Sequence, residues 1–394
     1  MSNLQTFAVQ TEWVHIQYEE RAAFTETYGF SGSQGMVNLE GILLRPAGRP
    51  SETLMIFMHP ASTLQLLPVP RAMVQSGAHV LCAASRYAKN DTALIMEKVA
   101  LDLGAYIRHA KTVWGYRKIV LVGWSGGGSL AMFYQSEAEA PTVTHTPAGD
   151  TVDLTAAELI PADAVVFQAA HLSRGHLLAE SIDPSVRNES NPDDRDTELD
   201  LYDAANPHQP PYPADYVQRF RAAQLERVRR ITATVKDTLA ELKRRDTGEM
   251  ERAFVVHRTF ADPRFLDPAL DPNDRRPRWC YLGNPETVNT GPVGLARFST
   301  LRSWLSQWSL DDAHANGLVC VKRISAPLLA MENSADDAVP QPHTRLLFEA
   351  ATSPDKTMRM IRGATHYYAG QPDLLVEATT LIRSWLAERN LLTD

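Results

Sequence analysis

Hydrophobic and polar positions near the start of the chain follow the patterns of β-strands. Residues 13–18 and 37–44 alternate apolar and polar side chains, which predicts two half-buried strands. The glycine-rich stretch FSGSQG at residues 30–35 predicts a turn that joins them. Residues 53–58 and 79–83 are continuous apolar runs, as expected of strands that are buried on both faces. The chain therefore begins with extended structure and continues into the interior of a sheet.

Helical and strand-like segments then alternate. A short helix is predicted at residues 70–75, and apolar residues recur at helical spacing over 93–113. The apolar run KIVLV at 118–122 predicts a strand, residues 128–136 a helix, and AVVF at 164–167 another buried strand. Regular alternation of strand and helix predicts an α/β fold with a mostly parallel, doubly wound sheet that is covered on both faces.

The same alternation returns at the end of the chain. Strands are predicted at residues 328–331 and 358–361, and helices at 344–351 and 373–388. Because these elements repeat the pattern of the first part, we expect them to complete the same sheet.

The middle of the chain has a different character. Residues 183–213 are rich in Pro, Asn and Asp and predict a loop, whereas 215–245 carry an apolar stripe typical of a long helix. Residues 260–295 are predicted to be irregular, and 299–308 to form a second helix. We therefore expect a core domain formed by residues 1–169 and 324–394. The large, mainly helical cap, 170–323, is expected to be inserted between two strands of the core.

The pentapeptide GWSGG at residues 123–127 is the clearest sign of chemistry. It stands between a predicted strand and a predicted helix, the context in which Gly-x-Ser-x-Gly forms a sharp turn that exposes a nucleophilic serine. Glycine avoids side-chain collisions in such a turn. The hydroxyl of Ser125 would lie above the amino end of the following helix, where developing negative charge is stabilised.

A serine is a weak nucleophile unless a general base and an orienting acid accompany it. In this type of sheet the chain order is serine, acid, histidine. Asp336 follows the predicted strand 328–331, with Asp337 and Glu332 as alternative acids. A carboxylate at that position lies at the same sheet edge as the serine.

Two histidines follow the candidate acids. His366 lies in a loop directly after the predicted strand 358–361, a position from which an imidazole can reach over the sheet edge. His343 stands at the start of a predicted helix and is the weaker candidate for the base.

Two backbone N–H groups are expected to stabilise the oxyanion. One is that of Gly126, directly after the nucleophile. The loop after residues 53–58 should supply the other; because Pro60 has no N–H, Ala61 is the expected donor and Ser62 the alternative. We expect His59 to brace this loop by hydrogen bonding and to lie near the pocket.

Further residues are candidates for lining the pocket. Trp124 lies within the motif itself, and Arg86 and Tyr87 follow the predicted strand 79–83, with a packing role as the alternative for both. Aromatic residues of the predicted cap are candidates for an acyl or aryl pocket, with a place in the core as the alternative: Trp279, Tyr281, Trp304 and Trp308.

Composition excludes several classes of protein. The 394 residues carry a formal net charge of −8, which argues against nucleic-acid binding. No apolar run is long enough to span a membrane, and the amino terminus lacks the pattern of a secretory signal. Three dispersed cysteines without a CxxC motif argue against a disulfide framework, so we expect a cytoplasmic protein. His171 and His176 lack a third ligand at metal-binding spacing, and no metal site is expected.

The motifs GWSGGG, ADDAVP and GATHYY resemble those of the α/β-hydrolase superfamily over residues 37–169 and 324–390. The resemblance implies the α/β-hydrolase fold and a serine hydrolase with a large cap. It also implies that Asp336, rather than Asp337, is the acid, and that His366 is the base. The chain is similar to uncharacterised bacterial members, and the cap matches no characterised subfamily.

The resemblance and the motifs together predict an enzyme that needs no cofactor. We expect a carboxylic ester of a small or medium, largely apolar substrate to be cleaved through an acyl-enzyme. Carbon–carbon bond hydrolysis, thioester hydrolysis and acyl transfer on the same residues are the alternatives, followed by a non-catalytic ligand sensor. The expected partner is a small-molecule substrate; the oligomeric state stays open, and a homodimer is compatible with the sequence.

Overall fold

The computed structural model describes residues 6–20, 35–271 and 273–392. The strands are β1 (Val9–Glu19), β2 (Met36–Pro46), β3 (Thr53–His59), β4 (His79–Ala84), β5 (Lys118–Trp124), β6 (Ala164–Gln168), β7 (Val186–Asn188), β8 (Asn191–Arg195), β9 (Ala253–Val255), β10 (Phe298–Thr300), β11 (Leu328–Asn333) and β12 (Lys356–Ile361). The α-helices are α1 (Pro68–Gln75), α2 (Met96–Thr112), α3 (Gly126–Glu139), α4 (Arg174–Ser181), α5 (Ala214–Arg245), α6 (Pro285–Thr290), α7 (Leu301–Ser303), α8 (Gly317–Cys320), α9 (Pro342–Ala350) and α10 (Pro372–Ala387).

One large sheet organises these elements. Its eight strands lie in the order β1-β2-β4-β3-β5-β6-β11-β12. The pairs β1–β2 and β2–β4 are antiparallel, whereas neighbouring strands from β4 to β12 pair in parallel. The carboxyl ends of β3, β5, β6, β11 and β12 therefore meet at one edge of the sheet, where ligand sites of parallel sheets form.

The continuous apolar runs form the central strands because both faces of the sheet are covered. Along β3, Leu54 and Ile56 face the apolar layer that contains α2 and α3. Met55 and Phe57 face the opposite layer, which contains α1 and α10. Every residue of β3 except its last is buried, so the strand has no polar face.

Residues 170–323, named here the middle segment, have an apolar core of their own. The long helix α5 contributes Ile231 and Val235 to a cluster with Trp304 and Trp308. Polar contacts tie this segment to the start of α2: Ser306 Oγ donates to a carboxylate oxygen of Glu97 at 2.8 Å. The middle segment therefore contacts the sheet part of the chain through buried hydrogen bonds, and Leu172 and Val321 add apolar contacts in the layer that contains α2 and α3.

The predicted strands of the central sheet and the predicted long helix are confirmed. Two predictions in the middle segment are wrong. The loop predicted at 183–213 contains the hairpin β7–β8, and the irregular stretch predicted at 260–295 contains α6. The helix predicted at 299–308 is present but begins only at Leu301, because Ser299 pairs within β10 and Thr300 caps the helix; it ends in a π-helical turn, Trp304–Trp308.

The structure does not test two of the expectations from the sequence. Residues 30–34 of the predicted FSGSQG turn lie outside the described residues. The division into core and cap domains at 1–169, 170–323 and 324–394 stays a prediction.

Neither a membrane span nor a disulfide is found in the part of the chain that the structure describes. Its helices are all too short or too polar to cross a bilayer. All three cysteines are buried free thiols, and burial raises the pKa of Cys82 to about 12, so its thiol stays protonated.

A buried charge cluster attaches the end of β1 to the rest of the sheet and to α2. Nη2 of Arg86 donates to Oδ1 of Asp102 in α2 at 2.7 Å, and the same guanidinium contacts Glu20 and the hydroxyl of Tyr18 at the end of β1. The side chains of Arg86, Asp102 and Glu20 are at most 6% exposed. Such a cluster requires both signs of charge, because an unpaired charge is costly in the interior.

Replacing Arg86 with Met should lower the free energy of unfolding by about 3–5 kcal/mol, because the buried carboxylates of Asp102 and Glu20 lose the cation they share. Urea denaturation measures this loss. Arg117→Met is the matched control: this arginine pairs with Glu52 with both side chains more than half exposed, and its loss should cost less than about 1 kcal/mol. Equal losses in the two variants would contradict the assignment.

Candidate active site

Ser125 occupies a strained turn between β5 and α3. Its backbone has φ 53° and ψ −124°, a conformation that residues other than glycine rarely adopt. Backbone hydrogen bonds hold the turn. The N–H of Ser125 donates to the carbonyl of Gln168 at 3.2 Å, and the carbonyl of Ser125 accepts from the N–H of Gly128 at 3.0 Å. The serine is thus presented at the carboxyl edge of the sheet.

The glycines around Ser125 are needed because neighbouring backbone lies very close. A β-carbon on Gly127 would lie 2.4 Å from the carbonyl oxygen of Met58. One on Gly123 would lie 2.6 Å from Cα of Gly128. These separations are shorter than any van der Waals contact, so the glycines allow the turn to sit directly against the end of β3.

His366 and Asp336 meet in the loops that follow β12 and β11. Nδ1 of His366 lies 3.0 and 3.1 Å from the two carboxylate oxygens of Asp336. The Asp336 carboxylate is fixed in turn by the N–H groups of Ala338 and Val339, at 2.9 and 2.8 Å. Because Nδ1 faces the carboxylate, the other ring nitrogen, Nε2, is the one that can exchange a proton with a substrate or nucleophile.

Ser125 and His366 line the same cavity, which has a volume of about 160 Å³. Among the described residues no hydrogen bond joins the two side chains. Such contacts are often long in the absence of substrate and shorten when it binds. The serine, the imidazole and the carboxylate behind it are therefore brought together at one edge of the sheet.

The alternative acids and base have other partners. Asp337 accepts the backbone N–H of His366 at 3.2 Å, and burial, followed by the charge of Asp336, raises the pKa of its carboxyl. Glu332 accepts from the side chain of Gln341 at 2.7 Å. His343 lies 2.7 Å from Glu180 in the middle segment, outside the cavity wall.

The loop after β3 places His59 beside Gly126, the residue that follows Ser125. Nδ1 of His59 accepts the N–H groups of Ala61 and Ser62, at 3.1 and 2.9 Å, which is the bracing role expected of it. The N–H of Ala61, predicted as the second oxyanion donor, is therefore directed at the His59 ring. The role of Gly126 as the first donor stays a prediction; a β-carbon on it would lie 2.5 Å from Nε2 of His59.

The two hydrogen bonds to Nδ1 define which ring nitrogen of His59 carries the proton. Since Nδ1 accepts two hydrogen bonds, the ring proton must be on Nε2, the nitrogen that faces Gly126. Burial, with smaller contributions from Arg174 and His366, lowers the pKa of His59 to about 3. The ring is therefore a neutral N–H donor over the whole physiological pH range.

The predicted pocket residues divide into two groups. Trp124, Ser62, Tyr281 and Trp308 line the cavity with His59. The remaining candidates lie elsewhere.

Arg86 lies in the buried charge cluster under the first hairpin, and Tyr87 packs in the core, so the predicted pocket role is not seen for either. Trp304 is buried in the middle segment, where its indole N–H donates to Thr232 at 2.9 Å. Trp279 is 39% exposed and stacks on Arg276.

Two polar residues of the cavity wall, His171 and Arg174, were not predicted from the sequence. Both follow β6, whose carboxyl end lies at the same sheet edge as Ser125. The signal was present in the strand pattern, because residues just beyond every parallel strand share this edge. The apolar lining of the middle segment, missed as well, consists of Leu177, Phe260 and Leu295.

The described residues contain no cluster of three or more metal-binding side chains.

No protein-family model matches this sequence, and no curated protein matches it either. Several solved structures are similar to this chain over most of its length. A monoacylglycerol lipase from Paleococcus ferrophilus is 16% identical, with a TM-score of 0.45 over 89% of this chain and 99% of that one. The esterase domain of a Rhodothermus marinus protein is 14% identical, with a TM-score of 0.45 over 95% and 98%. Est1E from Butyrivibrio proteoclasticus is 14% identical, with a TM-score of 0.45 over 89% and 96%.

Replacing Gly127 with Ala should destabilise the protein by about 1–3 kcal/mol, because the new methyl group overlaps the carbonyl of Met58. The shifted turn should also slow the reaction of Ser125 with a fluorophosphonate. Gly115→Ala is the control: nothing lies within 4 Å of its β-carbon, and only the positive φ of 76° costs energy, about 1 kcal/mol. Unchanged fluorophosphonate reactivity in Gly127→Ala would show that the close packing does not position the serine.

Proposed function

We propose that this chain, which has the α/β-hydrolase fold, is a serine hydrolase that cleaves small carboxylic esters through an acyl-enzyme. The observation that carries the proposal is the convergence of a strained serine and a carboxylate-bound histidine on one cavity. A serine held at φ 53° costs energy that a merely structural turn could avoid with glycine. The paired imidazole supplies the base that such a serine needs.

The arrangement supports a two-step reaction. In the first step, Oγ of Ser125 attacks the ester carbon while Nε2 of His366 accepts its proton, and Asp336 stabilises the imidazolium. The C–O bond of the ester then breaks, and His366 protonates the departing alkoxide. In the second step, a water molecule gives a proton to His366 and attacks the acyl-enzyme, which releases the acid and restores the serine.

His59 is proposed as the second donor of the oxyanion hole, with Gly126 as the first. The ring proton is on Nε2, which faces the backbone of Gly126 and has no hydrogen-bond partner among the described residues. A neutral imidazole N–H in a buried site is a fixed dipole that stabilises a developing negative charge. This assignment replaces the predicted use of Ala61, whose N–H orients the ring.

The size of the cavity favours a small substrate over a medium one. Its volume of about 160 Å³ is close to that of cavities that hold a single benzene ring. A short acyl group fits, whereas a long fatty-acyl chain would need the middle segment to move.

Replacing Ser125 with Ala should abolish labelling by a fluorophosphonate and lower kcat for p-nitrophenyl butyrate by more than about 10⁴-fold, since no other nucleophile lines the cavity at this position. Mass spectrometry of the labelled peptide and a chromogenic assay measure both effects. Labelling that persists at the same rate in Ser125→Ala would refute the proposal.

Two neighbouring carboxylates provide a matched comparison. Asp336→Asn should lower kcat by about 10⁴-fold because the imidazole loses its orienting anion. Asp337→Asn keeps an oxygen that can accept the His366 N–H, so its effect should stay below about tenfold.

Replacing His59 tests the oxyanion assignment. An asparagine at this position can accept the N–H groups of Ala61 and Ser62 as Nδ1 does, but it offers no donor at the position of Nε2. His59→Asn should therefore lower kcat by about 10²–10³-fold with a smaller change in KM. His59→Gln, whose side-chain amide reaches the Nε2 position, should retain more of the activity. An unchanged kcat in His59→Asn would contradict the assignment of His59 and favour a backbone N–H of the same loop as the second donor.

A further inference from the structure

The wall of the active-site cavity contains buried polar nitrogens that no described residue satisfies. They are Nε of Arg174, Nδ1 of His171 and Nε1 of Trp308, and all three residues line the cavity. Buried polar atoms in native proteins nearly always have a hydrogen-bond partner. Nε of Arg174 and Nε1 of Trp308 can only donate, so an acceptor group of a ligand bound in the cavity beside these residues would be a partner for them.

Among these three residues, Arg174 gives the strongest argument for a bound ligand. It begins α4, and its guanidinium carbon lies 4.3 Å from the ring centroid of Trp308, which fixes the position of the guanidinium. Among the described residues, its Nη2 donates to Asp91, and its Nε donates to nothing. A planar guanidinium with a free donor is the group that recognises a carboxylate in a fixed orientation.

The charge of Arg174 is poorly compensated. The side chain of Arg174 is 9% exposed, whereas that of Asp91 is 38% exposed, so solvent screens the charge of the Asp91 carboxylate. Burial lowers the pKa of the Arg174 guanidinium, although the charge of Asp91 opposes that effect. An anion bound inside the cavity would supply the missing counter-charge where the dielectric constant is low.

Among the described residues that line the cavity, none is an aspartate or a glutamate, so the lining does not supply that negative charge. His59 and His171 are neutral, because burial lowers the pKa of both rings, that of His59 to about 3. Tyr281 stays protonated, since burial raises its pKa. Arg174 is thus the permanent cation among the described residues that line the cavity.

We propose that the substrate is a small ester that also carries a carboxylate, and that Arg174 binds this carboxylate. The inference rests on the proposed hydrolase function and replaces the largely apolar substrate expected from the sequence. One guanidinium, already shared with Asp91, matches a monoanionic carboxylate better than a dianionic phosphate. A cavity of about 160 Å³ limits the acid to about four or five carbons.

Two chromogenic esters of equal chain length test the substrate class. Mono-p-nitrophenyl glutarate carries the carboxylate, and p-nitrophenyl valerate ends in a methyl group instead. The wild-type protein should favour the glutarate ester in kcat/KM. Arg174→Gln should lower kcat/KM for the glutarate ester by about 10- to 100-fold, mainly through KM, and lower that for the valerate ester much less.

Further variants and substrates make the result specific. Arg174→Lys should restore part of the preference, because it keeps the charge but loses the planar fork. Arg229→Gln, which replaces an exposed arginine paired with Asp311, should leave both esters unchanged. The acetyl ester of 4-hydroxybenzoate compared with phenyl acetate shows whether the carboxylate belongs to the acid or to the alcohol part of the substrate.

A binding measurement separates this inference from the proposed function. Isothermal titration calorimetry of glutarate into Ser125→Ala should detect binding that is lost in Ser125→Ala/Arg174→Gln. Glutarate binding without turnover of any ester would refute the proposed hydrolase function but support the anion site at Arg174. A wild-type protein that hydrolyses both esters equally well, with Arg174→Gln slowing both alike and lowering the urea midpoint, would overturn the inference and make Arg174 a structural residue.

Discussion

The close approach of three strand ends at Ser125 is the constraint on which the site depends. The turn after β5 lies against the carbonyl of Met58 in β3 and is hydrogen-bonded to Gln168 in β6. Only glycine fits at these contacts, and the strain that remains is carried by the serine. The packing of these central, mostly buried strands offsets the strain. Ser125 is therefore positioned by core strands, which in general resist local opening more than loops do.

The electrostatic design of the cavity follows from burial. His59, His171 and His366 lie close together, and burial keeps the first two neutral. If His366 accepts a proton in the proposed reaction, its imidazolium meets no charge from His59 or His171, and the carboxylate at its Nδ1 is that of Asp336. Under the same proposal, His366 is the proton acceptor and His59 the hydrogen-bond donor of one cavity, and the contacts of each ring distinguish the two roles.

Strand periodicity and local motifs were sufficient to predict the central sheet, and the position of Ser125, Asp336 and His366 beyond three of its strands. Hydrophobic patterns report burial, and burial in a parallel sheet determines which loops share an edge. Which residues form the cavity wall was harder to predict from the sequence. Arg86 and Arg174 both follow a strand, yet one lies in a charge cluster under the hairpin and the other lines the cavity. That difference depends on partners distant in sequence, Glu20 and Asp91, which local pattern does not reveal.

Asp91 joins two parts of the molecule. Its side chain holds Arg174, and its backbone carbonyl accepts a hydrogen bond from Gln307 in the middle segment at 3.0 Å; the next residue, Thr92, accepts two more from Thr300 and Ser303. A ligand that drew the guanidinium away from Asp91 would act on the same short loop that binds residues 300–307 of the middle segment. If the position of that loop differs between the free and the bound protein, ligand binding and loop position are linked equilibria, and each changes the other by the same free energy.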